Sequence, residues 1–283
     1  MPDTINLRNR LAEIEKITNE QWLARLDERK RKELEFHDQH RDRSRLEAID
    51  KDTYEKYYGN KKYYGATRLS RAYVEQWIER HVKNTIFLDY ACGDGDYAIK
   101  AARAGAELAV GIDISRISIE NAKRNAAAAG VGSRTHFVQA DAENTLLPDD
   151  SIEVIICSGM LHHLDLSRAF TELKRILAPG GKIMAIEALD YNPAIRLYRY
   201  FTPAMRTEWE AAHILRLSDV EFAKKYFKIG AVRFWHITSI LYPHFRSMLP
   251  FFDFMDGFLT KIPIVQLMAW IFTFELIKDE KAF

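Results

Sequence analysis

The sequence predicts an α/β fold in which an open, doubly wound sheet binds its ligand at the carboxyl edge of the strands. Three observations lead there. Ile86, Phe87 and Leu88 form an apolar β-run that stops at Asp89, and a Gly93-x-Gly95 turn then opens a helix over residues 97–104. From Thr85 to Glu187 strand-like and helix-like stretches alternate, the pattern that builds a parallel sheet with helices on both faces. The strand ends carry acids: Asp89, Asp113 and Asp141 after the first three, Glu187 after the fifth. Ligands of such sheets lie beyond the strand carboxyl ends, where these acids stand.

A chain of 283 residues, 47% of them hydrophobic, is long enough for one large α/β domain with attachments. A formal net charge of +1 gives no long-range field for nucleic acid. Cys92 and Cys157, the two cysteines, are too few for a disulfide framework and suit a reducing compartment. The N-terminus lacks an apolar h-region, and no run of 18 apolar residues occurs. These features predict a cytoplasmic chain without a spanning segment.

Residues 1–84 read as a helical extension. Its first 50 residues are dense in both charge signs, with a thin apolar stripe of Leu11, Ile14, Trp22, Leu23, Leu26, Leu34 and Phe36. A flanking helix over the main domain explains that stripe, and a lid over a bound ligand is the functional reading. Residues 54–68 place Tyr57, Tyr58, Tyr63 and Tyr64 around Gly59 and Gly65, which predicts an ordered loop whose rings cover a ligand or pack on the surface.

From residue 85 the elements follow in order. After the glycine turn comes a second strand over residues 107–113. Asp113, 18 residues beyond Gly95, is near the spacing at which an acid meets ribose hydroxyls. An alanine-rich helix ends at Gly130, a C-cap signal. Residues 135–140 and 151–157 are the third and fourth strands, and the latter leads into Ser158-Gly159-Met160-Leu161-His162-His163. A helix over 166–177 and a sharp Pro179-Gly180-Gly181 turn precede the fifth strand, 182–186.

Gly93-x-Gly95-x-x-Ala98 alone also fits a dinucleotide fingerprint, which keeps an NAD-dependent oxidoreductase as one alternative. Asp89 speaks against it, because a carboxylate there repels a pyrophosphate and suits a ligand with an ammonium group. Together, Asp89-x-Ala91-x-Gly93-x-Gly95 and the strand-end acids resemble class I S-adenosylmethionine-dependent methyltransferases, over about residues 85–188. Ala91 stands where that pattern has its first glycine. The resemblance implies a Rossmann-like sheet of seven strands, the last antiparallel, with S-adenosylmethionine across its carboxyl edge.

Role by role, the resemblance assigns the methionine end to Asp89 and the Ala91-Cys92-Gly93 to Gly95 loop, with Tyr64 from the preceding segment beside it. It assigns the ribose to Asp113 with Ile114 next to it, the adenine to Asp141 and Ala142, and the floor near the sulfonium to Ser158. Of the two histidines after strand four, His163 is the preferred general base and His162 the second candidate. The competing account is a histidine that caps a helix and takes no proton. No metal is called for. A non-catalytic cofactor-binding subunit is a further alternative, and the Ser158-Gly159-Met160-Leu161 sequence lacks a nucleic-acid methyltransferase motif.

Beyond residue 188, segments 191–228 and 245–266 are expected to cap the acceptor site. Arg199, Arg206 and His213 are candidate acceptor contacts, in competition with a solvated network in which Asp190, Glu208 and Glu210 pair with the arginines. Sixth and seventh strands are expected over 229–237 and 269–277, with a helical insertion between them long enough for a helix pair. Phe251, Phe252, Phe254 and Phe258 in that insertion fit a roof over an apolar acceptor, with Phe254 a contact. A homodimer interface and a peripheral membrane contact are the other accounts, the membrane ranked second to the roof because of Asp253 and Asp256. The expected acceptor is a small or lipid-like molecule with an apolar part.

Overall fold

A computed structural model describes residues 3–280. Its seven strands are β1 (Ile86–Tyr90), β2 (Leu108–Asp113), β3 (Thr135–Gln139), β4 (Ile152–Ser158), β5 (Leu177–Ala188), β6 (Lys228–Trp235) and β7 (Ile271–Ile277). They form one sheet in the order β3-β2-β1-β4-β5-β7-β6. β1 to β5 run parallel, and β7 lies antiparallel between β5 and β6. This is the expected doubly wound sheet with its last strand antiparallel.

Every residue of β1 and β2 is buried. A strand covered on both faces reads as a continuous apolar run rather than an alternating one, which is why these two were visible in the sequence. Alternate residues feed two cores. Ile86, Leu88 and Tyr90 pack with Leu7, Leu11 and Ile14 of helix Thr4–Glu15 and with Phe170 and Leu173. Phe87 and Ala109 pack with Val74 and Trp77 of helix Arg68–His81 and with Ala98.

Three local expectations change. The tyrosine-rich stretch is a helix, Lys51–Tyr58, followed by 3-10 turns over Gly59–Ala66, because the Asp50 side chain accepts from the Thr53 amide and caps it. The Pro179-Gly180-Gly181 turn lies inside β5 as an irregularity, with Ile152 paired to Leu177 and Val154 to Lys182. Gly180 absorbs the extra residues at φ +73°. Between β6 and β7 stands one α-helix, Leu249–Leu259, flanked by 3-10 turns rather than paired with a second helix.

Candidate active site

The loop after β1 reverses through backbone conformations of positive φ at Ala91 (60°), Gly93 (52°) and Gly95 (83°). Gly95 is the left-handed N-cap of helix Asp96–Arg103, and a Cβ there would lie 2.9 Å from Ala122 Cβ and from the Phe137 ring. Only glycine meets both demands. Asp113, at the end of β2, ties the loop to the neighbouring strand: its Oδ2 accepts from Gly93 N at 2.9 Å and its Oδ1 from Ser115 N at 2.8 Å.

A narrow cleft runs along these strand ends. Ala91, Asp113, Ile114, Asp141, Ala142 and Ser158 line it, so six of the sequence candidates meet on one wall. Asp89 does not reach that wall. Its Oδ2 accepts from Ala98 N at 3.1 Å behind the loop, and burial pushes its carboxyl up to about 8 against that hydrogen bond. Cys92, Gly93 and Gly95 likewise shape the loop from behind the cleft.

The opposite wall is helix Glu28–Arg41, the roof helix. Its Lys30 Nζ lies 2.6 Å from Asp141 Oδ2 and 2.9 Å from Glu143 Oε2. Arg29 reaches Glu143 at 2.5 Å and donates to the His163 carbonyl at 2.7 Å. Asp38 accepts from the Ser115 hydroxyl, and the Arg41 guanidinium lies against Gly93. Sequence reading singled out none of these side chains. The one available signal is the recurrence of Lys30, Glu33, His37 and Arg41 at helical spacing, a polar face that meets the strand-end acids.

A 3-10 turn, Leu161–His163, follows β4 and sends its two histidines to different carboxylates. His162 Nδ1 lies 2.6 Å from Glu187 Oε2, while Glu187 Oε1 accepts from the amides of Met160 (2.9 Å) and Leu161 (2.8 Å). Burial disfavours charge on His162, but Glu187 outweighs it and holds the imidazole above its ordinary pKa. His163 Nδ1 lies 2.8 Å from Glu33 Oε2, and Glu33 also accepts from Thr207 Oγ1 at 2.5 Å. Two mixed groups, Glu33–His37–His163 and His162–His163–Glu210, have their ligand atoms within 4.8 Å of one another. The closest contact in the first is the His163–Glu33 hydrogen bond, and in the second His162 Nε2 lies 3.9 Å from Glu210 Oε1.

Beyond the histidines opens a chamber of about 670 Å³. It shares His37, Arg41, Ser158, Gly159 and His163 with the cleft, so the two meet at the end of β4. Ile195, Ile214, Trp270 and Ile271 supply apolar wall, and His162, Glu187, Arg199, Arg206 and Glu210 the polar wall. Arg199 pairs with Asp190 at 3.2 Å. Arg206 donates to the carbonyls of Arg199 (2.8 Å) and Thr202 (2.7 Å), with Glu210 4.0 Å away. Burial lowers the pKa of both guanidinium groups, as expected for cations short of compensating charge.

Three candidates lie elsewhere. Tyr64 lines the chamber and not the cleft, its ring edge-on to Trp270 at 5.4 Å. His213 stacks on Trp209 at 3.8 Å, away from the chamber lining. Phe254 is 76% exposed on the outer side of helix Leu249–Leu259, and no residue of that helix lines the chamber. The buried side of the helix carries Phe252, Asp253 and Asp256. The expected aromatic roof is therefore absent, because the two acids and not the exposed phenylalanines face the protein.

The strand order and the glycine loop agree with comparisons to known proteins. Residues 87–181 match a family model described as a methyltransferase domain. Over 97 residues the chain is 37% identical to 27-O-demethylrifamycin SV methyltransferase of Amycolatopsis mediterranei, covering 34% of this chain and 36% of that protein. Over 127 residues it is 32% identical to a ubiquinone/menaquinone biosynthesis C-methyltransferase of Geotalea daltonii, covering 44% and 54%. The matched stretch thus spans about a third to a half of these relatives. Among solved structures, a [4+2]-cyclase, SpnF, superposes with a TM-score of 0.53 at 16% identity, covering 73% of this chain and 81% of that one. That likeness concerns the fold alone. Over residues 87–181 the chain is therefore similar to methyltransferase domains, in sequence and in the fold that carries the cleft.

Proposed function

We propose that the chain methylates a hydroxyl group of a small acceptor that has an apolar body and an anionic or strongly polar end. The observation that carries this reading is the His162–Glu187 pair on the wall of a chamber that meets the cleft at Ser158 and Gly159. The cleft residues suit the donor. Asp113 keeps acceptor capacity for ribose hydroxyls beyond its two backbone amides, and Asp141 and Ala142 stand where an adenine edge would lie.

S-adenosylmethionine supplies an electrophilic methyl group when bound. The chain's own task is to place the acceptor oxygen in line with it, exclude water and take the proton. Glu187 holds Nδ1 of His162, which leaves Nε2 as the atom that receives the hydroxyl proton as the new oxygen–carbon bond forms. We place the base at His162, whose carboxylate Glu187 is itself fixed by the Met160 and Leu161 amides, in preference to His163, whose carboxylate Glu33 belongs to the roof helix and also binds Thr207. Ile195, Ile214 and Ile271 face an apolar body, and Arg206 with Arg199 an anionic end.

The relatives include one oxygen-directed and one carbon-directed methyltransferase, and the histidine–carboxylate pair favours the oxygen. An oxidoreductase has no support from the matched family, and a non-catalytic subunit has no use for a carboxylate-held histidine facing a chamber. The test is incubation with methyl-labelled S-adenosylmethionine and fractionated small-molecule extract. Label should enter a compound carrying a new O-methyl group, and His162→Ala should slow that transfer by roughly 10²-fold or more while still binding S-adenosylhomocysteine. Label in a C-methyl or N-methyl product overturns the hydroxyl assignment.

A further inference from the structure

We infer that the outer face of residues 241–264 docks on an anionic lipid surface. On helix Leu249–Leu259 the exposed residues Pro250, Phe251, Phe254, Gly257 and Phe258 occupy a single side at three-to-four-residue spacing. Leu241, Phe245 and Met248 in the turns before it and Ile264 after it are exposed too, Ile264 at 78%. Exposed apolar residues scattered singly need no explanation, but a side this continuous calls for an occupant.

Charge selects among occupants. Both acids of the stretch are turned inward. Asp253 pairs with Arg68, and Asp256 accepts four hydrogen bonds from the amides and hydroxyls of Thr238 and Ser239. The exposed ionisable residues between 241 and 264 are His244, Arg246 and Lys261, with no exposed acid among them. A two-fold contact between copies applies the same patch twice, so these cations would meet a surface equally lacking in acids. A bilayer with anionic headgroups complements both features, the phenylalanines entering the acyl boundary and the cations meeting phosphates. Asp253 and Asp256, which in the bare sequence count against such a face, do not lie on it.

The position of the face fits this occupant. Leu241 and His244, at its edge, also line the chamber, so the bilayer surface adjoins that cavity. The inference stands on the face itself and is independent of the reaction assigned to the cleft.

Flotation of the full chain with vesicles tests it. The protein should float with phosphatidylcholine vesicles containing phosphatidylglycerol and far less with phosphatidylcholine alone. Phe254→Ser/Phe258→Ser and, separately, Arg246→Glu/Lys261→Glu should each cut partitioning by about tenfold or more with an unchanged melting temperature. Protein that stays free of both vesicle types overturns the inference, as does equal partitioning by wild type and both variants. A wild-type dimer in sedimentation velocity that Phe254→Ser/Phe258→Ser splits into monomers also overturns it, since the face is then a contact between copies.

Discussion

The Nδ1 atom of His162 lies 2.6 Å from Oε2 of Glu187, whose other oxygen is held by the backbone amides of Met160 and Leu161. A carboxylate fixed in this way cannot swing away, so it sets the ring orientation and the tautomer that leaves Nε2 toward the chamber. His162→Ala should lower kcat by roughly 10²–10⁴-fold with little change in S-adenosylhomocysteine affinity. His163→Ala, which removes a contact with the roof helix, should weaken cofactor affinity more than it lowers kcat. The reverse ranking of the two variants would return the base to His163.

Glu187 also makes the pH dependence specific. The base must be neutral to act, and Glu187 holds His162 above the ordinary histidine value. Activity should therefore rise with pH along a limb that lies above about 6.5. In Glu187→Gln the larger attraction that favours the imidazolium is gone, only that of Glu210 remains, and burial still opposes the charge, so the limb should move to lower pH. The kcat/KM profile of the two proteins checks this, and coincident limbs would detach Glu187 from the titrating group.

Asp113 is the carboxylate on which donor affinity should depend most. Its loss removes a pair of charge-assisted acceptors for ribose hydroxyls and also releases the Gly93 and Ser115 amides that shape the loop. Asp113→Ala should weaken S-adenosylhomocysteine binding by about 2–3 kcal/mol, or roughly 30- to 150-fold. Calorimetry that finds affinity within about twofold of wild type would remove the ribose role.

The legible part of this protein was the part buried on both faces. β1 and β2 are continuous apolar runs because helices cover both sides, and Asp89 and Asp113 stand out where those runs stop. The roof helix was not legible as part of the site. Its buried residues are Lys30, Glu33 and Leu34, so ion pairs to Asp141, Glu143 and His163, far away in sequence, do the work that apolar periodicity would have revealed. The same cause misled the reading of residues 248–265. Counting phenylalanines says nothing about direction when the partners that draw Asp253 and Asp256 inward, Arg68, Thr238 and Ser239, lie outside the stretch. His162 and His163 are adjacent, and only the turn that separates their carboxylate partners distinguishes them.

Lys30 offers a test of the roof itself. Its ammonium joins Asp141 and Glu143 across the cleft, so the cleft cannot widen without breaking two short ion pairs. Lys30→Met keeps the length of the side chain and removes the cation between those carboxylates, leaving Glu143 to Arg29 and Arg168. The expected outcome is faster release of S-adenosylhomocysteine in stopped-flow measurements and faster proteolysis within residues 28–41. Release and cleavage rates equal to those of wild type would show that the roof is held by other contacts.

The last prediction concerns Asp89, a buried carboxyl whose pKa in the folded chain is pushed up to about 8 from an ordinary value of 3.8. Between those two values the folded chain holds a proton that the unfolded chain has lost. Stability from this group is therefore fully present below about 3.8 and is lost as pH rises through about 8. At full extent the difference is on the order of 5 kcal/mol, since each pKa unit is worth about 1.4 kcal/mol. Asp89→Asn keeps an oxygen to accept from Ala98 N and carries no charge to desolvate. Without ligand, the wild-type melting temperature should fall relative to Asp89→Asn as pH is raised from about 5 to 8, so that the variant is the more stable protein at the upper end. Thermal denaturation of both proteins across that range decides the matter. Parallel curves would mean that Asp89 is already ionised in the folded chain, and that the amides of the glycine loop and the helix behind it compensate its burial.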